Sequence, residues 1–264
     1  MMVLLSMLLG AVAQAKSVDE ILAGGTPQEQ GRLLAGELGA RNAGYHDLSA
    51  DVEMVLSDAS GSEAKRAFHL KVLERPAPTE GDRSLIVFDS PADVKGTAVL
   101  SHAQVDADDE QWVYLPQSRR TKRVSGSNRT GAFLGSEFTF EDLTGNDGRK
   151  YEWTAGARKA CGDSNCVELT AVPKDPESGY SKRVLLVDAT ELRIHSIAFY
   201  DRRGALLKTL TYGDYHKLSG RFWRSHQWTM KNEQTGKSTV LRFVGMKLSS
   251  GLTASDFASA KLGG

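Results

Sequence analysis

The sequence predicts a mainly β protein, one antiparallel sheet curled on itself into a barrel or half-barrel. Three observations predict it. Apolar and polar residues alternate with a period of two over most of the chain from Leu48 to Leu248. Turn chemistry rich in Gly, Pro, Asn and Asp breaks that alternation about every 8–12 residues. No linker-like stretch interrupts the ladder, so a single domain over 16–264 is expected.

The first residues read as an export signal. Val3 to Val12 form an apolar run, and Ala13-Gln14-Ala15 supplies the small-x-small pattern of a cleavage site. The run is too short to cross a bilayer, which takes roughly 20 apolar residues. No Lys or Arg precedes it, which leaves the translation start open. Lys16 follows the proposed cut, and the absence of Cys there argues against a lipid anchor on the chain itself. Residues 1–15 are therefore expected to be a signal peptide and the remainder an exported, soluble protein.

Two helices open the mature chain. Ser17-Val18-Asp19-Glu20 is a capping box ahead of Ile21-Leu22-Ala23, and Gly24-Gly25 ends it. Thr26-Pro27-Gln28-Glu29 is a second, with Pro27 at the first helical position. Leu33, Leu34 and Leu38 then recur at helical spacing.

The strands follow. Val52, Met54 and Leu56 alternate with Asp51 and Glu53, and Phe68, Leu70 and Val72 alternate with Ala67, His69 and Lys71. Further strands are expected at 84–88, 97–105 and 111–115, before a break at about 127–147. They resume at 150–157, 166–172, 183–187, 193–200, 206–215, 222–231 and 238–248. Thr253-Ala254-Ser255-Asp256 then starts a short helix carrying Phe257, Ala260 and Leu262.

Cys161 and Cys166 flank Gly162-Asp163-Ser164-Asn165, which is turn chemistry, and apolar alternation resumes at Val167, Leu169 and Ala171. In an oxidising compartment such a pair closes the tip of a hairpin as a disulfide. A metal centre would need two further ligands, and the six histidines are scattered singly, so no metal is expected.

Composition excludes some function classes. Lys and Arg number 33 against 33 for Asp and Glu, so no global field recruits nucleic acid or anionic membrane. The cluster Asp106, Asp108, Asp109 and Glu110 lacks the calcium-loop pattern. G-x-S-x-G, H-E-x-x-H and P-loop motifs are absent, and no cofactor is implied. A triad assembled in space would leave no such mark, so a hydrolytic enzyme stays open as a rival reading.

The segment 111–143 carries the most specific pattern. Gln111-Trp112-Val113-Tyr114-Leu115-Pro116 is followed by Arg119-Arg120-Thr121-Lys122-Arg123-Val124, and then by Ala132-Phe133-Leu134-Gly135-Ser136-Glu137-Phe138-Thr139-Phe140-Glu141-Asp142-Leu143. This run resembles the W-x-Y-L-P … R-R … F-x-G-S/T-D/E-F-x-Y/F-E-D signature of the outer-membrane lipoprotein-sorting protein family, in its larger LolA-like branch. Glu137 stands where that pattern favours Asp, and Phe140 where Tyr is common. The resemblance implies an open half-barrel whose concave face is covered by helices. It also implies a periplasmic carrier, not an enzyme, that holds lipids or lipoprotein acyl chains. Its partners would be an inner-membrane exporter of the resistance-nodulation-division type and an outer-membrane acceptor. A periplasmic sensor of envelope stress on the same fold is the alternative.

Read from the residues, an apolar trough would draw on Met54, Phe68, Leu70, Phe88, Trp112 and Phe133. Phe138, Phe140, Phe199, Trp223, Trp228 and Phe243 are further candidates. Each serves ordinary core packing equally well, and alternation does not say which sheet face is concave. Gly131 and Gly135 suggest that the segment around Phe133 moves as a lid, together with the terminal helices. The basic run Arg119, Arg120, Lys122 and Arg123 reads either as a solvated strand face or as a contact for headgroups or an acidic membrane partner. Nucleic acid is not expected, and the chain is expected to act as a monomer.

Overall fold

Both opening helices begin where the capping boxes place them. In the computed structural model, which describes residues 16–75, 80–144, 148–162 and 164–263, α1 covers Val18–Leu22 and α2 covers Pro27–Asn42. The Ser17 hydroxyl accepts from the Glu20 amide and the Thr26 hydroxyl from the Glu29 amide, each at 3.2 Å. The proposed signal peptide lies outside the described residues. No helix among the described residues is long and apolar enough to cross a membrane.

Among the described residues the two-residue period becomes one antiparallel sheet of 13 strands. Its first half is β1 (Asp47–Ser57), β2 (Glu63–Leu73), β3 (Glu80–Ser90), β4 (Ala98–Gln104), β5 (Glu110–Leu115) and β6 (Arg120–Val124). The second half begins with β7 (Tyr151–Cys161), β8 (Ser164–Pro173), β9 (Tyr180–Asp188) and β10 (Ile194–Asp201). It ends with β11 (Leu206–Leu218), β12 (Phe222–Asn232) and β13 (Ser238–Leu248). The strand order is β6-β5-β4-β3-β2-β1-β13-β12-β11-β10-β9-β8-β7. The chain thus meanders outward to β6, passes to the opposite edge at β7, and meanders back until β13 pairs with β1. β6 and β7 do not pair, so the sheet curls without closing and is an open half-barrel.

The strand β6 is not expected from alternation. Its residues Arg120, Thr121, Lys122 and Arg123 are exposed, because an edge strand at this rim has solvent on both sides. Charge on an edge also discourages pairing with another chain.

Paired residues share a face, and the register shows which face is concave. Ala50, Leu70, Ile86, Val99 and Val113 lie side by side across β1 to β5, as do Met54, Leu241 and Trp228 across β1, β13 and β12. These residues share one apolar core with Leu185 of β9 and Leu210 of β11 from the other half. Val18, Ile21 and Leu34 bring α1 and α2 into the same core. Helix α2 lies close against β7, and a Cβ at Gly31 would sit 2.6 Å from the Thr154 nitrogen. Glycine is what allows that approach.

The outer face carries a second, smaller core. Leu73, Leu85, Leu100 and Trp112 pack there against Phe257, which is fully buried. The expected C-terminal helix is two short 3-10 turns, Ala254–Phe257 and Ser259–Lys261, laid on this outer face. It is therefore not a lid on the concave side. Asp47 turns the tail outward: its buried carboxylate accepts from the amides of Ser250 at 2.7 Å, Gly251 at 3.0 Å and Leu252 at 3.2 Å. These bonds outweigh burial and hold the Asp47 carboxyl below the usual range.

Cys161 and Cys166 form a disulfide, Cα to Cα 5.8 Å, that staples the β7–β8 hairpin end.

Candidate functional site

The connection from β6 to β7 crosses the concave face, and its middle folds into a tight hairpin. The Phe133 amide donates to the Phe138 carbonyl at 2.7 Å, and Ala132 and Thr139 form an isolated bridge. At its tip Leu134 and Gly135 both take positive φ, 46° and 74°. The hairpin inserts Phe133 and Phe138 into the core, where Phe133 stacks against Phe88 and Phe140, each at 5.8 Å.

The acidic residues of the same segment fasten it to the second half of the sheet. Asn232 Nδ2 donates to Glu137 Oε2 at 2.8 Å, and the Glu137 amide donates to Thr239 Oγ1 at 3.0 Å. Glu141 Oε2 accepts from the Gly179 amide at 2.9 Å. Asp142 Oδ1 accepts from the Tyr180 hydroxyl at 2.8 Å, and its Oδ2 from Lys208 Nζ at 2.6 Å. On the other side, Gln111 Nε2 donates to the Phe140 carbonyl at 2.9 Å. The segment is thus pinned from both halves of the sheet, contrary to the expectation of a loosely held lid. Gly131 has φ −71° where it follows the 3-10 turn Gly126–Thr130, so its conformation there is open to any residue.

Between this segment and the sheet lies a cavity of about 300 Å³. Met54, Phe68, Leu70 and Ile86 form its sheet wall with Trp228, Leu241 and Phe243. Phe133, Phe138 and Leu143 form the wall opposite, and the Trp228 ring is wedged between Tyr212 at 5.3 Å and Phe243 at 5.0 Å. Polar groups enter at Asp82, Ser84, Ser101, Asp142 and Thr144.

Of the twelve trough candidates named from the sequence, Met54, Phe68, Leu70, Phe133, Phe138, Trp228 and Phe243 come together in this lining. Phe88 and Phe140 stand just behind it, Phe88 5.1 Å from Phe68. Phe199 lies elsewhere on the concave face, 5.0 Å from Tyr180 and beneath Lys208. Two candidates need correcting. Trp112 pairs with Leu100 on the outer face and packs in the core around Phe257. Trp223 alternates away from Trp228 on β12, its Nε1 donating to Glu191 at 2.8 Å and its ring under Arg193. The outer face also shelters aromatics, under the tail for Trp112 and beneath Arg193 for Trp223, and alternation does not choose between the two faces.

The basic run is divided by the pleat. Arg119 sits in the turn with φ 51°. Lys122 pairs with Val113 and Arg120 with Leu115 on the concave side, while Arg123 pairs with Trp112 on the outer side and bonds Glu110 at 2.9 Å. All four are exposed and none lines the cavity.

Sequence reasoning missed Asp82. It belongs to β3, and its Oδ1 accepts from the Arg75 amide at 3.0 Å and its Oδ2 from the Tyr45 hydroxyl at 3.2 Å. Burial, helped by nearby Glu74, pushes its carboxyl above the usual range. Burial also raises the Tyr45 phenol. The local signal was an Asp within an otherwise alternating strand, which a bulge beside Gly81 and Arg83 obscures.

The chain matches other proteins over almost its whole length. A family described as "Uncharacterized protein" matches residues 80–263. A crystal structure of an outer-membrane lipoprotein-sorting protein domain from Vibrio parahaemolyticus is 40% identical, with a TM-score of 0.86. The match covers 89% of this chain and 99% of that one. A DUF1329 family protein from Desulfovibrio piger is 27% identical, TM-score 0.85, over 90% and 100% of the two chains. A LolA superfamily protein from Nitrosomonas europaea shares the fold at 21% identity and TM-score 0.68, over 93% and 99%. No curated protein matches the sequence. With two-fifths identity over nearly all of the Vibrio domain, and with the signature at 111–143 accounting for the crossing segment and its anchors, the chain belongs to the outer-membrane lipoprotein-sorting, LolA-like protein family.

Proposed function

We propose that this protein is a periplasmic carrier that holds an acyl chain of a lipid or acylated lipoprotein in the cavity between the crossing segment and the concave face. The carrying observation is that cavity: about 300 Å³, walled by aromatic and aliphatic side chains from both sides, with a small set of polar groups. Its size is at the lower end for ligand pockets, which suits one acyl chain. Each methylene buried contributes about 0.8 kcal/mol, so such a cavity binds tightly without any catalytic group.

In this reading residues 1–15 direct export, and the carrier is loaded by an inner-membrane exporter and discharged to an outer-membrane acceptor. The exposed basic strand β6 offers a surface for headgroups or for an acidic partner. The Vibrio relative, described as a lipoprotein-sorting domain, supports the carrier class.

The test is uptake of a fluorescent fatty acid or lipopeptide by delipidated protein at micromolar concentration. Leu70→Asp, at the cavity wall, is expected to lose most of the uptake, while exposed Lys237→Glu leaves it unchanged. Melting temperatures taken alongside separate lost binding from lost folding. Well-folded wild-type protein that takes up none of these probes would overturn the reading.

A further inference from the structure

The cavity is apolar over most of its wall and polar in one place. Ser84 and Ser101 are direct neighbours across β3 and β4, and Asp82 follows two residues before Ser84 on the same face. The residues lining the cavity include two carboxylates, Asp82 and Asp142, and no Lys, Arg or His.

Cations close to this wall are already engaged. Lys208 bonds Asp142 at 2.6 Å, Arg83 bonds Glu80 at 2.6 Å, Lys150 is paired with Asp109, and Arg75, outside the lining, acts on Asp82 through its charge. Asp142 uses both oxygens on Lys208, Tyr180 and the Thr139 amide. Asp82 differs. It accepts one bond on each oxygen, from the Arg75 amide and the Tyr45 hydroxyl, whereas an ionised carboxylate offers about four acceptor sites. Ser101 Oγ receives Gln111 Nε2 at 3.2 Å. The Thr144 hydroxyl is spent on the Glu141 carbonyl at 3.1 Å.

This wall therefore offers acceptor capacity and negative charge, and none of the residues lining it is a cation. We infer that the polar end of the cargo meeting Asp82, Ser84 and Ser101 is an uncharged or cationic hydrogen-bond donor, such as an amide N–H, hydroxyl or amine, and not a carboxylate or phosphate. A donor completes the lone pairs of a desolvated carboxylate in a charge-assisted bond. An anion placed there is repelled by a like charge in a medium of low polarity. The inference rests on the acyl-chain reading and narrows it to a head chemistry, which an amide-linked or hydroxylated acyl group fulfils and a free fatty acid does not.

The test uses the delipidated chain and four amphiphiles of one chain length: dodecylamine, N-methyldodecanamide, dodecanoate and dodecyl phosphate. Equal chains cancel the apolar contribution, so displacement of a bound neutral fluorescent acyl probe near neutral pH reads the head alone. The amine and the amide are expected to displace at concentrations about tenfold or more below dodecanoate, with dodecyl phosphate weakest. Asp82→Asn should bring the amine and dodecanoate to within about threefold, since the charge is gone and the shape is kept. Ser84→Ala should weaken the amide while leaving the melting temperature near wild type. If Asp82→Asn does not fold, the wild-type ranking of the four heads decides alone. Dodecanoate or dodecyl phosphate displacing as well as the amine and amide would overturn this inference and leave the acyl-chain reading standing. If none of the four displaces the probe and none binds directly, both fall together.

Discussion

Lys208 Nζ lies 2.6 Å from Asp142 Oδ2, with both side chains buried, and the pair ties the crossing segment to the start of β11. The same ammonium donates to the Glu137 carbonyl at 2.8 Å, so one side chain holds both the hairpin that carries Phe133 and Phe138 and the turn that follows it. A buried pair of this kind matters most when it is broken. Lys208→Met removes the cation bonded to Asp142 and is expected to cost about 3–5 kcal/mol in chemical denaturation. Adding Asp142→Asn should return part of that loss, because the uncompensated charge is then removed. Equal destabilisation in the single and double variants would deny the pair its role.

The same carboxyl gives a pH signature. Burial alone would raise Asp142, but Lys208 and Arg183 outweigh it and hold the group below the usual range. A depressed folded value means the stabilisation is complete above the unfolded carboxyl value of about 3.9 and is lost as pH falls through the lower folded value. Wild type should therefore lose stability on acidification below about pH 4 more steeply than Asp142→Asn. Parallel acid curves for the two proteins would argue against this assignment.

Phe257→Ala tests the placing of the tail. The ring is fully buried against Leu73, Leu100 and Trp112 on the outer face. Removing it should cost about 3–5 kcal/mol, yet acyl-probe affinity in the folded variant should stay at the wild-type value. A tail that lidded the cavity would instead show weakened binding.

The disulfide should matter for stability and not for binding. Cys161 and Cys166 are separated by 5 in sequence and close a hairpin at the β7 edge, away from the cavity lining. For so short a loop the entropic contribution is about 2 kcal/mol. Replacing both cysteines by serine should lower the unfolding free energy by that order and leave uptake unchanged; loss of cargo transfer at wild-type stability would assign the pair a further role.

Charge reversal on β6 separates partner contact from mere solvation. Arg120→Glu with Lys122→Glu should leave the melting temperature near wild type, since exposed charges contribute about 0–1 kcal/mol. It should slow delivery to or from membranes, and the difference should shrink as salt is raised. Wild-type loading and delivery rates at every ionic strength would reduce the run to a solvated edge.

The features legible in the residues alone were local ones. The caps at Ser17 and Thr26, the period of two and the hairpin between Cys161 and Cys166 each follow from residues close in the chain, where propensity, hydrogen bonding and turn geometry decide. The segment 111–143 was legible as a signature, while the bonds from Glu137, Glu141 and Asp142 to Asn232, Gly179 and Lys208 were not, because those partners come from strands distant in sequence. Strand β6 left no mark in the alternation, since an edge with solvent on both sides carries none, and only its charges pointed to a solvated strand face. That Trp228 faces the cavity while Trp112 packs beneath Phe257 follows from the folded sheet as a whole. Alternation says that neighbouring side chains take opposite faces; which face becomes concave is set by pairing β1 with β13 and by the curl of the whole sheet. Those are long-range choices that no local pattern encodes.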